Sequence, residues 1–290
     1  MKRLLVVLMI FGLSIPGYCA DQWTKGQLAG TISVSDSDTY NQVNNNALDR
    51  LLYDYRHNAV LVYASASTLT VTAGRIAIPN AAGTVVRWRG ETSSTTATWS
   101  NIDTGSEANS TQYYVYLSGD TDETGFDVVI STSSSAPSGI TYYRKIGYFY
   151  NNSSGNIVNV GNIKGGGVPN IMKVTGTTDI TSTSSSYEDM TDMEIRFVSS
   201  GYPVKVTFAA PMTSGGALHN GQMVIDIDGT DKVTSFIHAS SDADDACMQW
   251  LEDLSAGTHT IKVQWKYVAG GTVSQNGATM GARVLITEEL

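Results

Sequence analysis

From Ala59 onward the sequence is built of short runs of β-branched and aromatic residues, separated by clusters of Gly, Ser, Asn and Asp. That pattern leaves little room for anything but strands. The runs AVLVYA (59–64), STLTVTA (67–73), TVVRWRG (84–90), QYYVYL (112–117), FDVVIST (126–132) and TYYRKIGYFY (141–150) all suit a pleated surface. No long helical run or glycine-rich strand-to-helix turn lies between them, which argues against a doubly wound nucleotide-binding fold. An antiparallel β domain is predicted over residues 59–161. A glycine-rich linker follows at 162–170, where three consecutive glycines free the backbone and Pro169 restricts it again. Beyond it come EIRFV, YPVKVTFAA, QMVIDIDG, VTSFIH, CMQWL, HTIKVQWK and ARVLITEE. These predict a β-sandwich or jelly roll over 171–290, in which the strand at 282–289 is structural and its truncation should be damaging.

The preceding residues read differently. Lys2 and Arg3, an apolar run from Leu4 to Leu13, a Pro16-Gly17 break and small residues up to Ala20 predict a secretory signal peptide over 1–20. The apolar run is too short for a membrane span, and no later stretch approaches the roughly 20 apolar residues such a helix needs. Residues 21–58 are expected to form an arm and one short helix. Leu48, Leu51, Leu52 and Tyr55 follow helical spacing, with Asn46 as cap and Asn58 as stop. So short a helix must pack its stripe on the following sheet or on the same helix of neighbouring subunits. The fold class expected is therefore mainly β: two antiparallel β domains, the second a sandwich or jelly roll, with one short N-terminal helix.

Composition narrows the function. There are 18 Lys and Arg against 27 Asp and Glu, a formal charge of -9, and charged residues make up only 16% of the chain. No basic face is available to meet phosphate, so a nucleic-acid partner is excluded. Loss of the leader would remove two basic residues and no acidic one. It would also remove Cys19 and leave Cys247 as the sole cysteine, so no intramolecular disulfide would hold the fold in an oxidising compartment. Alternation in DDACMQW places Cys247 on an inward strand face as a structural thiol, with an intersubunit disulfide as the other reading.

Recognisable catalytic patterns are absent. His57, His219, His238 and His259 are scattered without zinc-ligand spacing, and no G-x-S-x-G elbow occurs. The acidic residues are the more interesting test. Asp226 and Asp228 share a strand face by period two, Asp231 follows across a turn at Gly229, and Asp242, Asp244 and Asp245 form a second cluster. Asp226, Asp228 and Asp231 could be solvated carboxylates, a calcium site or half of a glycosidase-like pair, although the closing Glu of a twelve-residue calcium loop is missing. Aromatics supply the second candidate surface: Tyr114 and Tyr116 fall on one face of their strand, and Tyr143 stands on another tyrosine-rich strand. Such rings can cover a sheet, stack on sugars or fill a subunit contact. The Ser and Thr clusters at 92–98, 131–135 and 181–186 suit exposed sheet faces and turns, and sequons stand at Asn109 and Asn152.

Three segments carry a resemblance: VIDIDGT (224–230), LEDLSAGTHTIKVQWK (251–266) and ARVLITEEL (282–290), together with WSNIDTGS (99–106) ahead of a tyrosine-rich strand. They resemble bacteriophage tail-fibre-like proteins and, more loosely, the trimeric jelly rolls related to tumour necrosis factor and complement globular heads. The resemblance implies a noncatalytic, homo-oligomeric and expectedly trimeric attachment or structural component, acting on a cell-surface glycan or another structural protein. Because fibres assemble in the host cytoplasm, the leader favours a secreted or surface-displayed protein over a virion component. The alternative is a carbohydrate-binding module or carbohydrate-active enzyme that uses the surface tyrosines and an Asp pair. No cofactor is expected beyond the calcium that the acidic group could hold.

Overall fold

The computed structural model describes residues 55–120, 124–165, 167–215, 221–237, 244–268 and 272–290. The expected leader and arm lie outside them, as does all of the expected helix except its end. That end is not helical: Arg56–Asn58 form strand β1. Asn58 and Ala59 then take left-handed φ angles of 57° and 53° and turn the chain. The Arg56 guanidinium is buried and donates to the carbonyls of Ile146, Ile163 and Ala59 and to Asn162 Oδ1. A helix would carry this cation away from all four acceptors. Burial, with Arg144 nearby, lowers its pKa to about 10.

The first half continues with β2 (Leu61–Ser65), β3 (Thr68–Val71), β4 (Gly74–Pro79), β5 (Val86–Glu91), β6 (Thr95–Thr98), β7 (Thr111–Ser118), β8 (Asp127–Ser131), β9 (Tyr143–Asn151) and β10 (Ile157–Asn162). They form sheets in the orders β1-β4-β5, β2-β3-β6 and β10-β9-β7-β8, all antiparallel. Residues 171–290 contribute β11 (Ile171–Gly176), β12 (Asp179–Ser182), β13 (Glu188–Ser199), β14 (Pro203–Gly215), β15 (Gly221–Ile227), β16 (Thr230–Ile237), β17 (Asp244–Asp253), β18 (Gly257–Tyr267), β19 (Thr272–Asn276) and β20 (Arg283–Glu289). One layer runs β11-β20-β14-β17, with β19 and β12 continuing from the far end of β14; the other runs β13-β18-β15-β16. The chain crosses repeatedly between the layers, which makes this half a jelly roll.

Local chemistry explains the connections. Asp228 and Gly229, both at positive φ (53° and 78°), make the two-residue turn between β15 and β16, the Asp-Gly pair favoured where hairpin twist demands left-handed backbone. In β18 the residues His259, Ile261, Val263 and Trp265 turn inward on a strict period of two. β17 follows the opposite parity from the one expected. Met248 is buried and Trp250 packs on the core, so Cys247 points outward and is exposed. The larger apolar side chains claim the interior.

Two hydrophobic cores flank β7. Its Tyr113, Val115 and Leu117 join the first with Phe149 and Ile146, where Tyr113 stacks on Phe149 at 5.3 Å. Its Tyr114 and Tyr116 join the second, with Tyr148 of β9 and the interior of the jelly roll. A bulge makes this possible. Register shifts between Val115 and Tyr116, so Tyr148 lies opposite Tyr114 while Lys145 lies opposite Tyr116. Tyr148 meets Phe197 edge-on at 6.4 Å.

Strand β20 is paired on both sides, and its inward face is unusual in carrying Arg283 and Glu289 as well as Leu285. Arg283 is fully buried. It donates to the carbonyls of Thr191 and Thr178 and to Gln275 Oε1, and meets Asp192 Oδ2 at 3.0 Å. Glu289 accepts from the Ser199 hydroxyl, the Ser200 amide and the Asn170 side-chain amide. Asn170 also accepts from the Tyr148 hydroxyl and donates to the Val198 carbonyl, so the end of the glycine-rich segment is held by buried hydrogen bonds. Replacing Asn170 by Ala is expected to cost about 2–3 kcal/mol, since a buried carboxylate loses a donor. Gly176 lies against the Arg283 guanidinium, leaving no space for a Cβ. Gly176→Ala is therefore expected to cost about 1–3 kcal/mol. Urea midpoints equal to wild type in either variant would contradict this packing.

Candidate functional site

A shallow cleft of about 300 Å³ opens where the end of β4 meets β7 and β9. Asn80 builds one wall: its side-chain oxygen accepts from the Thr84 and Val85 amides, fixing the turn after β4. Tyr116 forms the floor and Tyr143 the rim, with ring centres 5.8 Å apart and the planes nearly perpendicular. The Tyr116 side chain is buried, and its hydroxyl donates to the Ser133 carbonyl at 2.8 Å. Tyr114 does not line the cleft; it lies beneath Lys145, whose ammonium is 5.3 Å from the ring centre and donates to the Ser134 carbonyl. The structure thus gathers the three tyrosines named from the sequence around one lysine, with only Tyr143 presented at the rim.

The electrostatics suit a surface rich in hydrogen-bond donors. Burial pushes the Tyr116 phenol well above its usual range, with Tyr114, Tyr143 and Asp103 adding to the effect, so it stays protonated. Burial also lowers the pKa of Lys145. Arg144, Asn80 and Ser135 complete the polar lining, and no carboxylate belongs to it among the described residues. The cleft offers donors and ring edges to a small polyhydroxylated group, but no acid and base pair. Arg144 and Lys145 were not singled out from sequence. Their place directly after Tyr142-Tyr143 in a strand was the available signal.

Asp226 and Asp231 face each other across the β15–β16 hairpin, while Asp228 is engaged apart from them. Asp226 is buried and accepts from the Gly229 amide at 3.1 Å, and desolvation raises its pKa. Asp228 accepts from the Thr260 amide and meets His259 Nδ1 at 2.6 Å, while His259 Nε2 lies 2.9 Å from the Ser255 carbonyl. Asp231 pairs across the hairpin with Asp226. β15 ends at Ile227 and Asp228 takes a left-handed φ of 53° in the turn, so the period of two that would have aligned it with Asp226 stops before it. Among the described residues, no group of three or more His, Cys, Asp or Glu side chains could hold a metal ion.

Burial pushes Asp228 upward, yet hydrogen bonds from His259 and the Thr260 amide, and the charges of His259 and Lys232, outweigh it and leave the pKa below 3.8. A carboxylate depressed in the folded state stabilises it fully above the unfolded pKa and loses that contribution as pH falls through the folded one. The stability gap between wild type and Asp228→Asn should therefore be widest above about pH 4 and shrink toward pH 2. Thermal melting across that range checks this; a gap independent of pH would contradict it.

Comparison with known proteins gives one family model, described as the Mtd second domain, which matches residues 60–188. No curated protein matches the chain. Among solved structures, the insecticidal delta-endotoxin Cry8Ea1 of Bacillus thuringiensis aligns at 10% identity and a TM-score of 0.26, covering 84% of this chain and 55% of that one. This chain thus spans little more than half the toxin's length. The VP2 subviral particle of infectious bursal disease virus aligns at 11% identity and a TM-score of 0.28, covering 81% and 74% of the two chains. Latent PorU of Porphyromonas gingivalis aligns at 8% identity and 0.28, covering 79% and 24%. Likeness at this level establishes neither a common fold nor a common activity. What stands is a distant relationship of residues 60–188 to a tail-fibre-associated domain.

Proposed function

We propose that the protein is a noncatalytic attachment or structural component of tail-fibre-like type, exported to the cell surface or beyond, that works through the surfaces of its β sheets. The observation that carries this reading is the match of residues 60–188 to the Mtd second domain on a chain whose residues 171–290 form a jelly roll. The lining of the Tyr143 cleft, which holds no carboxylate among the described residues, supports a binding role over a hydrolytic one there, because a glycosidase needs two carboxylates facing one cleft. The cleft at Tyr143 supports a glycan as ligand, through ring contact and the neighbouring donors Lys145 and Asn80.

The protein is proposed to act as a homotrimer, and residues 59–161 and 171–290 as two domains joined at 162–170. Exposed Leu251 on the edge strand β17 supports self-association, since closed symmetry covers such surfaces. Sedimentation equilibrium should give a trimer at micromolar concentration, and a monomer there would overturn the oligomeric reading. Tyr143→Ala should weaken retention on host cell-surface glycans about tenfold while leaving the melting temperature within a few degrees of wild type. Unchanged retention would remove the cleft as the contact.

A further inference from the structure

The outer face of the β13-β18-β15-β16 layer carries an aromatic and polar arrangement that neither the cleft nor the sequence motifs account for. Cross-strand register sets Phe236, Gln222 and Lys266 in one row, and Thr234, Val224 and Gln264 in the next. Phe236 is 55% exposed, a large apolar side chain beside the polar side chains of its row. Tyr187, just before β13, reaches across this face: its hydroxyl lies 3.4 Å from Gln222 Oε1 and also hydrogen-bonds the Thr234 side chain. Val224 beside it is fully buried although it belongs to the outward row, so the face is covered there by side chains. The Lys266 ammonium stands 4.3 Å from the centre of the Tyr187 ring.

Charge is distributed unevenly along the face. Lys262 is paired with Asp189, which also accepts from Gln264. Asp226 and Asp231 stand opposite each other at the hairpin end, four residues along β15 from Gln222 and so roughly 13 Å away. Lys266, by contrast, has no carboxylate partner among the described residues, and its ammonium lies over the Tyr187 ring. One end of the face therefore presents an uncompensated cation beside an exposed phenyl ring, an amide and a hydroxyl. A pyranose offers an apolar C–H face for the ring and hydroxyls for the amide, and an acidic sugar adds a carboxylate for the ammonium.

We propose that the Phe236, Gln222 and Lys266 row binds the carboxylate-bearing end of an acidic saccharide, with the sugar ring on Phe236 and its carboxylate at Lys266. Tyr187 is a positioning residue that holds Gln222 and Lys266 in place. This site is separate from the Tyr143 cleft and rests on the reading of the protein as a noncatalytic attachment component.

The test uses the full chain on surfaces bearing sialyl- or glucuronyl-terminated oligosaccharides, beside the same oligosaccharides lacking the acidic sugar. The parent chain should retain the acidic forms about tenfold more tightly. Lys266→Gln should abolish that preference, Lys266→Arg should restore most of it, and Phe236→Ala should weaken binding about tenfold. Phe236 is exposed and Lys266 partly so, and matching melting curves check that the variants fold. Acidic-sugar binding unaltered in Lys266→Gln and Phe236→Ala would overturn the proposal, as would a parent chain that binds acidic and neutral sugars equally or neither. Binding that survives both variants but is lost in Tyr143→Ala moves the sugar to the cleft, overturning this site and leaving the attachment reading standing. Release of reducing sugar from the surface would overturn the attachment reading itself.

Discussion

The architecture depends on burying two opposite charges at the two ends of one strand. β20 lies between β11 and β14, and its inward face begins at Arg283 and ends at Glu289. A charge withdrawn from water costs several kcal/mol unless partners converge on it, and those partners come from across the jelly roll. Arg283 collects carbonyls from the β11–β12 turn and from β13, and an amide oxygen from β19. Glu289 collects donors from the β13–β14 turn and from Asn170. Neither charge can be satisfied until these distant elements have assembled, so the strand acts as a check on the whole sandwich. Through Asn170 and Tyr148 the same network reaches β9.

That link gives the β7–β9 pair its role. One face of β7 supplies the first core and the other supplies the second, and the bulge opposite Val115 and Tyr116 lets β9 follow suit. The Tyr143 cleft lies beside this wall, with Tyr116 held beneath it by the Ser133 carbonyl. Its floor is therefore part of a core, and only its rim is free to adapt to a ligand. The Tyr187 and Phe236 face is built differently, as side chains laid on a finished sheet. Two such surfaces suit a protein that holds on to something, since retention gains from several weak contacts made together.

Much of this was legible in the sequence because strands with one wet face announce themselves. β18 shows strict alternation, the Asp228-Gly229 pair marks the β15–β16 hairpin, and the jelly roll follows from the spacing of the runs. What was not legible traces to non-local causes. QYYVYL is buried on both faces, so alternation carried no contrast and could not show that Tyr114 and Tyr116 face a second core. Arg56 fell within the expected helix, and only the carbonyls of Ile146 and Ile163, some 90 residues or more along the chain, explain its burial in a strand. Cys247 was placed inward by alternation along DDACMQW, but Met248 and Trp250 on the opposite parity fill the interior better. Tyr187 and Phe236 come together only through register across the sheet, which spacing along the chain does not encode.

The central claim is that this chain holds a surface without altering it. It is tested most directly by incubating the full protein with an immobilised cell-surface polysaccharide and measuring retention and released reducing ends together. The account requires stable retention with product no higher than in a protein-free control. Time-dependent release of sugar, proportional to protein concentration, would contradict it.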